Sequence, residues 1–236
     1  IMFKILENKM IKIIINKIYG YFVDLSKVFS RKNLNKFISK ELHDTDNLNK
    51  VLIIGAGGRI HKLVEKISLE KSFELISMDI NKNYNPDIIS DICEYKFTHD
   101  EYDLIIMPEV LQAIPTPHKA IQNILTGIKK GGSIIITVPF IFPIVDRPHD
   151  YFRFTKYGLN FLLKDFSEII IFERNSWIES INVLCVRLIM NNDILSKIIG
   201  TIFIILAYIN YPFVFLLGKL LKSDYLTTGY NVSGKK

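Results

Sequence analysis

The sequence predicts an α/β fold, an open and mostly parallel sheet of about seven strands with helices on both faces. Three observations carry that expectation. From Lys50 onward, short apolar runs alternate with segments of helical period. The first run passes through a Gly-x-Gly turn into a helix, and the next two runs each end on an aspartate, Asp79 and Asp91.

Taken in order, Ile11, Ile14, Ile15, Ile18, Phe22, Leu25 and Phe29 recur at three- and four-residue steps, which predicts a basic amphipathic helix over 10–29. The polar run 43–49 closes this N-terminal segment, residues 1–47, and the main domain, 48–236, follows. Strands are expected at Val51–Ile54, Phe73–Met78, Asp87–Ser90, Tyr102–Met107, Ser133–Val138, Glu168–Glu173 and Thr228–Ser233. Helices are expected at Arg59–Leu69, at His118–Lys130 with Gly131-Gly132 as a left-handed C-cap, and from Thr155 as N-cap to Lys164.

Before the last strand lies an apolar insertion, 194–222, in which Ile198–Gly218 carries no charge. It is long enough to cross a bilayer, yet Gly200, Asn210 and Pro212 are helix breakers or polar. Two short helices around Asn210–Pro212 are the expectation, in monotopic or re-entrant contact with a membrane or as a soluble lid or oligomer surface; a true span is the third alternative.

The chain has 236 residues, 49% hydrophobic and 23% charged, with a mean hydropathy of +0.22, which excludes a disordered chain. Of a formal net charge of +6, residues 1–40 hold nine Lys or Arg against Glu7 and Asp24. Residues 41–236 therefore carry 21 basic and 22 acidic side chains, a near-neutral body that argues against a nucleic-acid partner. Cys93 and Cys185 fit no disulfide framework or zinc spacing; no metal site is expected, and a cytoplasmic setting is. The first apolar stretch is interrupted by Lys12, Asn16 and Lys17, so no signal peptide is expected.

The residues with chemical potential gather at the predicted carboxyl ends of the strands. Gly55-Ala56-Gly57-Gly58 lets the backbone approach a ligand closely, and Asp79, 24 residues beyond Gly55, can accept two hydrogen bonds from a ribose diol. A dinucleotide fingerprint would need glycine at Ile60, and a phosphate-binding loop would need Gly-Lys-Ser/Thr; neither is present. The glycines and aspartates equally suit a structural role, shaping the turn and capping loops.

Together with Asp91-Ile92, Glu109-Val110-Leu111-Gln112-Ala113-Ile114-Pro115 and Gly131-Gly132-Ser133, these residues resemble the class I S-adenosylmethionine-dependent methyltransferases over about 48–175 and the final strand. The resemblance implies a Rossmann-like sheet with an antiparallel last strand and S-adenosyl-L-methionine as cofactor. It implies that Gly55, Ala56 and Gly57 face the methionine portion, Asp79 the ribose hydroxyls, Asp91 and Ile92 the adenine, that Ile80 also binds the cofactor, and that Met107 and Pro108 lie beneath it near the methyl group. The sequence departs from the family at Ile53, where an acidic residue is usual, and at Arg59, often a glycine.

The stretch from Pro139 to Thr155 looks like the Pro-Phe…His-x-x-Pro-x-Asp-Tyr-x-Arg-Phe-Thr of bacterial methyltransferases of polysaccharide and glycolipid gene clusters, with Val145 in place of the expected histidine. His149 is the candidate base, Glu109 its rival, and Asp150 either orients His149 or pairs with Arg153. Asp150, Arg153 and Thr155 serve equally to pin the loop. The chain has Met107-Pro108-Glu109-Val110 where amino-group methyltransferases commonly carry Asn/Asp-Pro-Pro-Tyr/Phe, which favours an oxygen or carbon acceptor. The expectation is O-methylation of a small-molecule sugar or lipid-linked glycan acceptor by a protein resting on the inner face of the cytoplasmic membrane. The alternatives are C-methylation of a prenylated quinone or other lipid, and a non-catalytic membrane-associated binding module.

Overall fold

In a computed structural model, which describes residues 9–221 and 223–236, the chain forms α1 (Lys9–Asp44), β1 (Lys50–Ile54), α2 (Gly58–Lys71), β2 (Glu74–Asp79), β3 (Ile88–Ile89), β4 (Tyr102–Pro108), α3 (Pro117–Gly127), β5 (Ile128–Pro139), α4 (Lys156–Leu162), β6 (Ser167–Glu173), α5 (Trp177–Arg187), α6 (Ile194–Leu220) and β7 (Gly229–Lys235). The side chains of Ile11, Ile14 and Ile15, part of the amphipathic pattern, lie outside the described residues. Contacts group the chain into two compact units, one of residues 1–32 and 175–226, the other of 33–174 and 227–236. The sequence-based boundary at 47/48 falls inside the second.

The second unit holds the sheet. Its seven strands run in the order β3-β2-β1-β4-β5-β7-β6, with β7 antiparallel to β5 and β6 and the pairings among β1 to β5 parallel. Successive residues of a strand point to opposite faces, and β1 shows the consequence. Leu52 and Ile54 enter a core with Met78, Ile105 and Met107, covered by Ala120, Ile121 and Ile124 of α3 and Leu159 of α4. Val51 and Ile53 enter the opposite core, covered by Ile60, Val64 and Ile67 of α2 and by Leu34, Ile38 and Leu42 of α1. Ile53 is thus a fully buried packing residue. Strand order reverses between β1 and β4, and in open α/β sheets the crevice beyond the carboxyl ends at such a point is where ligands bind.

Three expectations are corrected. The N-terminal helix does not stop near Phe29 but runs to Asp44, because Leu34, Phe37, Ile38 and Leu42 continue the apolar step into the core. The pair Gly131-Gly132 does not cap α3, which ends at Gly127; both glycines lie within β5. There the β4–β5 register shifts between Tyr102 and Leu104, and a Cβ on Gly132 would stand 2.9 Å from both Asp103 O and Lys129 O. The last residue closes the same spot, Gly131 N donating to Lys236 O and Lys236 N to Gly132 O.

The third correction concerns the first unit. Instead of two short helices, α6 is one 27-residue helix with Pro212 inside it. Its apparent breakers have packing partners: a Cβ on Gly200 would stand 2.4 Å from Ile189 N, and Asn210 Oδ1 accepts from Asn182 Nδ2 of α5 at 3.1 Å. In this unit Val186, Ile189, Ile204 and Ala207 form a small core, packed by Tyr19, Phe22, Val23, Leu25 and Phe29 of α1.

The β5 geometry yields a mutational expectation. Gly132→Ala forces a methyl group against two carbonyl oxygens and should destabilise the protein by roughly 1–3 kcal/mol, read as a lowered denaturation midpoint. An unchanged midpoint would instead fit a glycine with open space around it.

Candidate active site

Three strand ends and one loop meet around a cavity of about 400 Å3 in the second unit. Gly55, Asp79, Ile80, Asp91, Ile92 and His149 line it, joined by Met78, Val110, Ile114 and Tyr151. The turn after β1 brings the chain in so closely because Gly55 and Gly57 adopt φ of 102° and 77°. A Cβ on Gly55 would stand 2.7 Å from Val110 Cγ2, and one on Gly57 2.9 Å from Tyr84 Cδ1.

Asp79 braces this turn. Its Oδ2 accepts from Ala56 N at 2.8 Å and its Oδ1 from Asn81 N at 2.7 Å. Asp91 Oδ1 accepts from Cys93 N at 2.8 Å. Gly57 N donates to Nδ1 of His61, 3.0 Å away on the first turn of α2, a partner that the sequence reading did not single out. One step back from the site, Asp87 receives the Ser77 hydroxyl and amide, which holds its carboxyl below the usual carboxylate range.

The remaining candidates stand off the cavity wall. Met107 is fully buried in the core and Pro108 ends the buried run of β4. Glu109 follows with a left-handed φ of 57°, an unusual conformation for a residue with a Cβ, and both of its oxygens are engaged. Arg174 Nη2 donates to Oε1 at 2.5 Å and Nη1 to Oε2 at 3.2 Å, while the Thr137 hydroxyl donates to Oε1 at 3.1 Å. The Arg174 side chain is buried, and Gly229 gives it room, since a Cβ there would lie 2.7 Å from Arg174 Cζ.

In the loop after β5, Asp150 pairs with Arg153 through both guanidinium nitrogens, Nη2 to Oδ2 at 2.7 Å, and accepts from Val145 N at 2.8 Å. The Arg153 hydrogen bonds hold the Asp150 carboxyl below its ordinary range. Where the resembled pattern has a histidine, the Val145 backbone ties down the loop. His149 instead faces the cavity, its Nδ1 2.9 Å from the Tyr151 hydroxyl, and Gln112 O accepts from the amides of Tyr151 and Phe152. Gln112 is itself buried with Oε1 unpartnered. His61 and Arg174, which no sequence motif named, and Gln112 and Tyr151, which the motifs contained without a role, therefore brace the site.

A polar mouth with two carboxylates, a glycine cradle that a Cβ would fill, and apolar walls of Ile80, Ile92 and Ile114 suit an adenosyl compound. The cavity volume lies in the range of about 300–1,000 Å3 usual for small-molecule sites. With the seven-stranded order and antiparallel β7, this defines a class I S-adenosylmethionine-dependent methyltransferase. The family model for a methyltransferase domain matches residues 27–168, more than half of the chain, and the chain belongs to that family.

Among solved structures, a SAM-dependent methyltransferase from Archaeoglobus fulgidus matches with a TM-score of 0.58 at 17% identity, covering 92% of this chain and 99% of that one. A phosphoethanolamine N-methyltransferase 2 from Haemonchus contortus, in complex with S-adenosyl-L-methionine, matches at 0.55 and 16%, covering 86% of this chain and 52% of that one. An O-methyltransferase of a Brevibacillus brevis trans-AT polyketide synthase, in complex with S-adenosyl-L-homocysteine, matches at 0.52 and 18%, covering 89% and 79%. At these identities the likeness is one of fold. No curated protein matches.

The Glu109–Arg174 pair, with its arginine buried and its carboxylate half-buried, makes its own prediction. Glu109→Ala leaves a buried guanidinium uncompensated and should cost roughly 3 kcal/mol of stability in chemical denaturation, whereas adding Arg174→Met should return part of that loss. Equal stability of Glu109→Ala and the parent chain would show that the pair does not hold the site.

Proposed function

We propose that this methyltransferase acts on a hydroxyl of a sugar, free or lipid-linked, at the cytoplasmic face of a membrane. One observation carries the reading: His149 lines the same cavity as Gly55, Asp79 and Asp91, so an imidazole stands beside the residues that suit the cofactor. Bound there, S-adenosylmethionine supplies an electrophilic methyl group on a sulfonium centre. In this reading Asp79 accepts the ribose hydroxyls, Ile80, Ile92 and Ile114 sandwich the adenine beside Asp91, and the amides of the Gly55–Gly57 turn face the amino-acid end. Met107 and Pro108 form the buried floor.

The chain's remaining task is to orient the acceptor hydroxyl and take its proton. In the tautomer with Nδ1 protonated, His149 donates to the Tyr151 oxygen and keeps the Nε2 lone pair for the acceptor. Glu109, with both oxygens engaged, and Asp150, tied to Arg153, position the strand end and the loop. A second cavity of about 380 Å3 lined by Phe140, Phe142, Ile144 and Phe152 favours one other acceptor class, an apolar lipid methylated at carbon. The near-neutral sheet unit and a cavity lining with two carboxylates and no Lys or Arg leave nucleic acid a poor fit.

Calorimetry and turnover test the reading together. The intact chain should bind S-adenosylmethionine, and Asp79→Ala should weaken binding about ten-fold or more through the lost charged hydrogen bonds. With a cell extract as acceptor, His149→Gln should slow S-adenosylhomocysteine formation about a hundred-fold while cofactor affinity persists. Binding without turnover in the intact chain would point to the non-catalytic module, and binding indifferent to Asp79→Ala would overturn the cofactor assignment.

A further inference from the structure

The first unit holds an apolar surface that the methyl-transfer site does not use. Along α6, Ile198, Ile202, Ile205, Ile209, Phe213 and Leu216 are all more than two-fifths exposed. At about 100° per residue these six fall within an arc of about 80° on one side of the helix. Gly200, Ile204, Ala207 and Val214, the buried residues of the helix, fall on the opposite side. The stripe is therefore continuous and one-sided, and it runs along the middle of the helix from Ile198 to Leu216.

Charge marks what the stripe meets. Residues 1–32 and 175–226 together carry eleven Lys or Arg and five Asp or Glu, whereas residues 33–174 and 227–236 carry nineteen of each. The whole net charge of +6 thus belongs to the unit that presents the apolar stripe. Lysines also bracket the stripe: Lys197 Nζ lies 4.7 Å from the Tyr19 ring centroid and Lys219 Nζ 4.5 Å from that of Phe215. Such pairs place an amphipathic stem along apolar surface and a cation at its edge.

A transbilayer course is at odds with the other face of the helix. α5 packs along it and brings Glu179, Asn182 and Arg187 with it, the Asn182–Asn210 hydrogen bond lying near mid-helix. Crossing the bilayer would carry those groups into hydrocarbon, where polar and charged side chains are costly.

We propose that α6 lies in the plane of an anionic membrane surface, its Ile198–Leu216 stripe sunk at the acyl boundary and Lys197 and Lys219 at the edges of the stripe on the lipid headgroups. This deepens the membrane placement proposed above and rests on it, but not on the identity of the acceptor. The test is co-sedimentation of the full chain with phosphatidylcholine vesicles, with and without phosphatidylglycerol, at low and high salt. The expected result is binding only to vesicles with phosphatidylglycerol, weakened by salt, released by carbonate, and reduced about ten-fold or more by Ile209→Glu with Phe213→Glu. Both positions are exposed, so circular dichroism melting should show the variant folded.

Failure of the intact chain to bind either vesicle would overturn this proposal and the membrane placement with it. Binding undiminished in the folded variant would overturn the stripe alone and leave membrane placement standing. Carbonate-resistant binding would mean a span. A dimer in light scattering that the variant dissociates, with no vesicle binding, would assign the stripe to a second copy of the chain.

Discussion

The Asp79 carboxylate is the clasp on which the site depends. It takes the Ala56 amide from the turn after β1 and the Asn81 amide beyond β2, while Gly55 N donates to Met78 O just before it. The turn after β1 and the segment after β2 are thereby fixed to one charged group, and a carboxylate accepting amide hydrogen bonds is a strong anchor. His61 adds the Gly57 amide to the same set. The cradle for the cofactor is therefore held before any ligand arrives, at the switch point that the β3-β2-β1-β4-β5-β7-β6 order creates.

A second anchor stands across the cavity. Glu109, in a left-handed conformation, is held by Arg174 and Thr137, and Gln112 Nε2 donates to its carbonyl at 2.6 Å. Gln112 in turn receives the loop amides at Tyr151 and Phe152, so the end of β4 fixes where His149 stands. Backbone strain of this kind persists only where its surroundings over-determine it, and here the surroundings are the His149 loop and an ion pair whose arginine is buried.

Much of this was legible in the residues and the illegible parts have physical reasons. The central strands β1 and β4 declared themselves as apolar runs because burial on both faces demands them, while Asp79 marked the end of β2 and Asp91 the chain just after β3. Gly131-Gly132 misled, since a glycine pair serves a helix cap and an irregular strand equally and only pairing with β4 decides between them. Gly200, Asn210 and Pro212 argued for a broken helix, but two of the three are answered by distant partners, Ile189 and Asn182. α5, outside the predicted elements, begins with a readable signal, the Ser176 to Glu179 capping box. The Glu109–Arg174 pair joins residues 65 apart, a separation at which no local pattern points from one to the other.

The central claim is that Gly55, Asp79, Asp91 and His149 form one cofactor and acceptor cavity. An amide chemical-shift titration of the isotope-labelled full chain with S-adenosylhomocysteine tests it most directly. The account predicts saturable shifts at Gly55–Gly57, Asp79–Asn81, Asp91–Cys93 and, in the facing loop, His149–Tyr151. Shifts confined instead to a separate hollow lined by Tyr95, Phe97 and Asn123 would contradict it.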